Sequence, residues 1–276
     1  MKMKIDLHTH STASDGVLSP KELVLLAKKQ DIEYLALSDH DTVDGLEEAI
    51  LYSKEVNINF IPSIELSTQH NGETVHVLGY FKDENFKNPD LKNFLNDLKL
   101  HREERGRKIV ENLKTYFNLD LDYEKIYKEA GGVIARPHLA TEIVSKYPQY
   151  KWDYIFEKFI GNNSPAFVPN KKLPTTEGIE LLKKFNCITS LAHPVLLKKN
   201  KIEDMIKLPF DAIEGVYYIN TKAVESKLIS LAHYNDKLVT CGSDFHGYGR
   251  DDSKHGYLGT MSIDKDLFSK FLSYLN

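Results

Sequence analysis

Short apolar runs rich in β-branched residues alternate along the chain with longer stretches whose apolar positions recur every three or four residues. That alternation predicts βα units around a mainly parallel sheet. Met3 to Leu7 reads as the first strand. Ser19-Pro20-Lys21-Glu22 is a capping box with proline at the first helical position, opening a helix through Leu23, Leu26 and Ala27. Ile32 to Leu37 is a second strand, and Asp44-Gly45-Leu46-Glu47 caps a second helix through Ala49, Ile50 and Tyr52. Ile58 to Ile64 is a third strand, ending at Glu65, and Thr74 to Tyr80 a fourth, whose alternation sets His76 on one face with Leu78.

From residue 85 the pattern turns helical and charged, as in His101-Arg102-Glu103-Glu104-Arg105, and predicts an insertion subdomain over 85–185 that covers the mouth of the core. It holds Gly131-Gly132-Val133-Ile134-Ala135-Arg136-Pro137-His138, a helix from Leu139 to Val144, a proline-rich loop at Pro165, Pro169 and Pro174, and a helix from Glu177 to Phe185. Strands then resume: Cys187 to Ala192 ends at His193-Pro194, Ala212 to Tyr217 carries Glu214, and Leu238 to Cys241 ends at Gly242-Ser243-Asp244-Phe245-His246. Residues 1–84 and 186–276 are therefore expected to form the core.

The 276 residues are 41% hydrophobic, sufficient for a large core. With 36 basic and 40 acidic residues the net charge is -4, so no global basic field draws in duplex DNA. No apolar run reaches the roughly 20 residues of a membrane span, and no signal-peptide segment precedes the first strand. A cytoplasmic protein without membrane attachment is expected. Cys187 and Cys241 sit in separate apolar segments and read as reduced core residues.

In barrels of parallel strands chemistry gathers at the C-terminal strand ends. Here His8, His10 and Asp15 follow the first strand, His40 the second, Glu65 the third, and His193, Asp244 and His246 the later ones, with His76 inside its strand. His8 and His10, two apart, point the same way. Imidazoles with carboxylates and no thiolates suit Zn²⁺, Mn²⁺ or Fe²⁺. Nine ligand-type residues exceed what one ion uses, which implies a multinuclear centre of the kind that clamps a phosphate and lowers the pKa of water. His70, His101, His233 and His255 read as surface or core positions, and Arg102, Arg105 and Arg107 as an ion-paired solvated face.

His8-Thr9-His10, Ser14-Asp15-Gly16, Ser38-Asp39-His40-Asp41, Ile64-Glu65, Ala192-His193-Pro194 and Gly242-Ser243-Asp244-Phe245-His246 together resemble the motifs of the PHP (polymerase and histidinol phosphatase) family. The stretch Ala135-Arg136-Pro137-His138 is similar to the subgroup of 3′,5′-nucleoside bisphosphate phosphatases and 5′-3′ exoribonucleases. The resemblance implies an α/β fold, a distorted (β/α)7 barrel with a mainly helical insertion, and three divalent ions. One ion would take His8, His10, Glu65 and Asp244, a second Asp15, His40 and His246, and a third Glu65, His76 and His193. Where the family can carry histidine, this chain has Asp15, which favours harder ions such as Mn²⁺ over Zn²⁺ or Fe²⁺. Arg136 and His138 would bind substrate phosphate, since guanidinium forks onto it. Asp39, Asp41 or an ion-held water would protonate the leaving group. The expected substrate is a small phosphorylated nucleotide or short RNA end, cleaved at the 3′-phosphate of a 3′,5′-bisphosphate. Histidinol phosphate is the nearest alternative substrate. A metal-dependent amidohydrolase and a non-catalytic metal-binding interaction module are the other readings.

Overall fold

A computed structural model describes residues 2–130, 134, 136–169, 173–248 and 255–275. The elements begin with β1 (Lys2–Met3), β2 (Ile5–Asp6), α1 (Pro20–Lys29), β3 (Tyr34–Leu37), α2 (Leu46–Glu55), β4 (Asn59–His70) and β5 (Glu73–Phe81). Four helices follow, α3 (Pro89–Phe117), α4 (Tyr123–Glu129), α5 (Arg136–Lys146) and the short α6 (Trp152–Tyr154). The chain then runs α7 (Thr175–Lys184), β6 (Cys187–Leu191), α8 (Ile202–Met205), β7 (Ala212–Tyr217), α9 (Lys222–Tyr234), β8 (Leu238–Gly242), β9 (Ile263–Asp264) and α10 (Lys265–Leu275). Two compact units result, 1–93 with 172–276, and 94–171.

In the first unit seven strands form one sheet in the order β2 to β8. Its ends approach closure, since Leu7 N–H donates to Cys241 O and Asp244 N–H to His8 O, each at 2.9 Å. The sheet is a distorted barrel with helices around it. Parallel pairing holds for β2-β3-β4 and β6-β7-β8, whereas β5 runs antiparallel to both neighbours. The reversal comes from Asn71-Gly72, both at positive φ, which join β4 to β5 as a tight hairpin. Pairing with β5 also carries β4 six residues past Ile64. The expected first strand is split at Lys4: β1 pairs with β9, and β2 with β3.

The capping box of α1 forms, with Ser19 Oγ accepting from Glu22 N–H at 3.2 Å and Glu22 Oε2 from Ser19 N–H at 2.9 Å. Asp44 does not cap α2: its N-cap is Gly45, with no side-chain bond. The predicted boundaries of 85 and 185 are too wide for the compact second unit, because α7 packs on β4, β5 and β6 and belongs with the barrel.

The second unit has its own core, built around Ile109, Leu113, Ile126, Leu139, Ile143 and Phe159. Asp122 caps α4 by accepting from Lys125 N–H at 3.1 Å. Among the described residues no helix is long and apolar enough to cross a membrane. Cys187 and Cys241 are buried and free.

Candidate metal centre

One end of the barrel gathers the imidazoles and carboxylates. His8 and His10 leave β2, His40 leaves β3, His193 leaves β6, and Asp244 and His246 leave β8. Glu65 lies in β4 and bridges to His40 across the sheet. His76 sits in β5 opposite Ser67 of β4, so the reversal of β5 brings this early-strand residue to the same end. His193 (φ 28) and Asp244 (φ 57) are held in the left-handed region that non-glycine residues seldom adopt, a backbone turn that aims each side chain inward.

Glu65 is the hub, with no exposed surface. Its Oε1 lies 2.9 Å from His76 Nδ1 and 3.0 Å from His193 Nε2. Its Oε2 lies 2.9 Å from His40 Nδ1 and 3.3 Å from the Nε2 atoms of both His8 and His10. Asp244 Oδ1 faces the same two Nε2 atoms at 3.4 and 3.1 Å. Asp15 approaches His246 Nε2 at 3.3 Å and His10 Nδ1 and His40 Nε2 at 3.8 Å.

Three sets of ligand-type atoms, each within 4.8 Å of one another, emerge from the described residues. His8, His10, Glu65 and Asp244 form one, as the resemblance implied. Asp15, His40 and His246 form another, which also takes His10. In the third, His40 joins Glu65 and His76, while His193 touches both of the latter, its Nε2 3.3 Å from His76 Nδ1.

Burial alone would raise the Glu65 carboxyl, but His40, His76 and His8 with the His193 hydrogen bond hold it well below the carboxylate range. Burial lowers the histidines, and for His10 nearby His246 and His40 push the same way, to about 3. For His40 burial is overcome by Glu65 and Asp15, and its pKa rises to about 10. Acids and imidazoles therefore alternate at short range.

The donor chemistry fits divalent ions. Among the described residues His8 Nε2, both ring nitrogens of His10, His40 Nδ1 and Glu65 Oε2 are buried without an aligned hydrogen bond. A buried polar atom left so costs about 1–3 kcal/mol, and coordination turns that cost into ligation.

Several carboxylates support the cluster. Asp39 accepts from Ser11 N–H, Ser11 Oγ and Ser14 Oγ, each at 2.7 Å. Burial raises its pKa against those bonds. Asp41, at φ 54, accepts from Ser67 N–H at 2.7 Å. Asp39 thus fastens the loop that carries Asp15, and Asp41 ties the turn after His40 to β4 beside Glu65. Three supports escaped the strand-end reading. Glu214 Oε1 lies 3.0 Å from His8 Nδ1. Asp6 accepts from Ser243 N–H at 2.9 Å, and its pKa rises to about 7 through burial, against the Ser243 bonds. Tyr217 donates to Asp244 Oδ2 at 3.0 Å. Two of them were visible as charges inside apolar strands, where an acid needs a dedicated partner.

His255, read as a surface or core position, is half-buried. Its ring centroid lies 3.9 Å from that of His246, beside Tyr248, which donates to Asp15 O. His70, His101 and His233 join none of the three ligand sets.

In the second unit Arg136 and His138 occupy the first turn of α5, and Arg136 Nη1 donates to Asn162 Oδ1 at 3.0 Å. Arg107 is ion-paired as expected, to Glu124 at 2.8 Å, and stacks on Tyr123. Arg105 is not on that face: it is half-buried, and its Nε donates to Val168 O at 2.8 Å. Burial, then Arg136 and Arg102, lower its pKa.

The sequence matches the PHP domain family over residues 6–249. A 5′-3′ exoribonuclease of Haemophilus influenzae is 33% identical over 252 residues, covering 89% of this chain and 91% of that one. A 3′,5′-nucleoside bisphosphate phosphatase of Chromobacterium violaceum is 26% identical over 261 residues, covering 92% and 90%. A Bifidobacterium adolescentis crystal structure, described as a candidate metal-dependent phosphoesterase, superposes with a TM-score of 0.77 at 26% identity, over 99% of this chain and 96% of that one.

Proposed function

This chain belongs to the PHP family and is a metal-dependent phosphoesterase, and from that premise we propose that it removes the 3′-phosphate of nucleoside 3′,5′-bisphosphates to leave nucleoside 5′-monophosphates. Trimming of short RNA from its 5′ end is a second activity of the same site. The observation that carries the reading is the cluster around Glu65, whose carboxylate meets five imidazoles while buried nitrogens on three of them lack hydrogen bonds.

We assign His8, His10, Asp15, His40, Glu65, His76, His193, Asp244 and His246 to three divalent ions, with Mn²⁺ favoured because carboxylates share every set. When bound, such ions clamp phosphate oxygens, neutralise developing charge and provide a water-derived nucleophile near neutral pH. The chain's part is to hold these ligands in place, with Glu65, His8 and His10 fully buried and Asp15 partly open to solvent. Glu65 bridges by offering each oxygen to a different group of histidines, while Tyr217, Asp6 and Asp39 fix the loops. Arg136 and His138 hold the phosphate that is not cleaved, since guanidinium forks onto phosphate oxygens. The relatives from H. influenzae and C. violaceum bear names that fit such substrates.

The test compares kcat/KM for adenosine 3′,5′-bisphosphate, 5′-AMP and histidinol phosphate with Mn²⁺, identifying the product chromatographically. The bisphosphate is expected to be the best substrate and to yield 5′-AMP. Histidinol phosphate turning over fastest, or 3′-AMP as product, would overturn the assignment.

A further inference from the structure

Glu214 is a fully buried acid in the middle of the apolar strand β7, and no ligand set includes it. Its two oxygens face residues that follow two different strands, β2 and β6. Oε1 lies 3.0 Å from His8 Nδ1, and Oε2 accepts from the backbone N–H of His193 at 2.7 Å. The approach is close-packed: a Cβ on Gly242 would collide with both Glu214 Oε1 and His8 Cβ. His193 is the residue at φ 28, ψ 60, a conformation that persists only when its surroundings hold it.

We propose that Glu214 is a positioning residue that couples two metal pockets, fixing the ring of His8 with one oxygen and the strained backbone of His193 with the other. The proposal rests on the assignment of His8 and His193 as ligands. For His8 Nε2 to ligate, the ring proton must sit on Nδ1, where Glu214 accepts it. The carboxylate thus meets two donors with two acceptors. A glutamine cannot do so, because its amide offers one acceptor and one donor group. It leaves a donor facing a donor, or drives the His8 proton to Nε2, where it competes with the ion.

The full-length protein, stripped with chelator, is titrated with Mn²⁺ for wild type, E214Q and E214D, and the melting temperature of each stripped form is recorded. E214Q is expected to lose at least one ion per chain or to bind about 10- to 100-fold more weakly. E214D keeps the charge but reaches only one partner, so it should fall between the two. A merely structural role would lower the melting temperature of the stripped protein and leave Mn²⁺ affinity unchanged. E214Q binding as many ions as wild type with the same affinity would overturn the proposal. If E214Q does not fold, E214D decides, and wild-type binding by E214D overturns it. A wild type that binds no Mn²⁺ would overturn this proposal and the metal assignment together.

Discussion

Glu65 is the residue on which the centre depends, because its charge is shared among His8, His10, His40, His76 and His193. Glu65→Gln and His246→Ala are each expected to abolish phosphate release, whereas His233→Ala, in the last turn of α9, should stay within a few-fold of wild type. Steady-state assays on all three variants check this, and equal losses would show that proximity to the cluster does not matter. His255→Ala is expected to lower kcat by about 10- to 100-fold, the usual effect of removing a partner of a metal ligand. Its tilted ring contact with His246, centroids 3.9 Å apart, is the reason. Sequence could not reveal this contact: eight residues lie between the two histidines, and no strand or helix period links them. The candidate ligands could be nominated from sequence because strand ends converge, and a run of His, Asp and Glu at successive ends is hard to explain as surface chemistry. The hydrogen-bond partners of Asp39 and Asp41 were not legible, since a loop carboxylate looks the same in sequence whatever donors it meets.

At the scale of elements, the β4-β5 hairpin shows both what the pattern reveals and what it hides. Each strand was readable, yet alternation carries no direction, and only Asn71-Gly72 announces that the second runs back. The reversal matters because it brings His76 to the ligand end. The same hairpin is fastened at its tip. Glu73 accepts from the backbone N–H groups of Lys198, Lys199 and Asn200 at 2.6, 3.0 and 2.9 Å. Slight burial raises its pKa, but these donors dominate and depress it to about 2. A depressed folded pKa means stability that is present above the unfolded value, about 4.3, and lost as pH falls toward the folded one. Wild type should therefore exceed Glu73→Gln in urea midpoint at pH 7, and the gap should close between about pH 4.5 and 2. A gap that does not change with pH would remove the charge from the explanation. At the end of β8, Gly242→Ala should cost about 1–3 kcal/mol by overpacking and weaken metal binding as well, because His8 and Glu214 occupy the space.

For the whole molecule, binding ions means displacing protons. The pKa values of His8, His40, His193 and His246 are raised because Glu65, Glu214, Asp15 and Asp244 outweigh burial. His40, raised to about 10, therefore holds a proton near neutral pH in the stripped protein that an ion must expel, so Mn²⁺ affinity should climb with pH and binding should release protons. Calorimetry in buffers of different ionisation enthalpy counts them. On the substrate side, Arg136→Ala should lower kcat/KM for adenosine 3′,5′-bisphosphate by about 10- to 150-fold, the worth of a charge-assisted bond, while hydrolysis of a simple aryl phosphate stays near wild type. Equal losses on both would place Arg136 on the reacting phosphate instead. The division into a barrel and a helical unit was readable from the change of period near residue 85, but its edges were not, since α7 has the same amphipathic pattern whether it packs on a sheet or on helices. The most direct measurement is the metal content of the chain set against its activity. Stripped protein titrated with Mn²⁺ is predicted to recover phosphate release only as it takes up more than one ion per chain, reaching three at saturation. Full activity with one ion, or with none, would contradict the multinuclear centre.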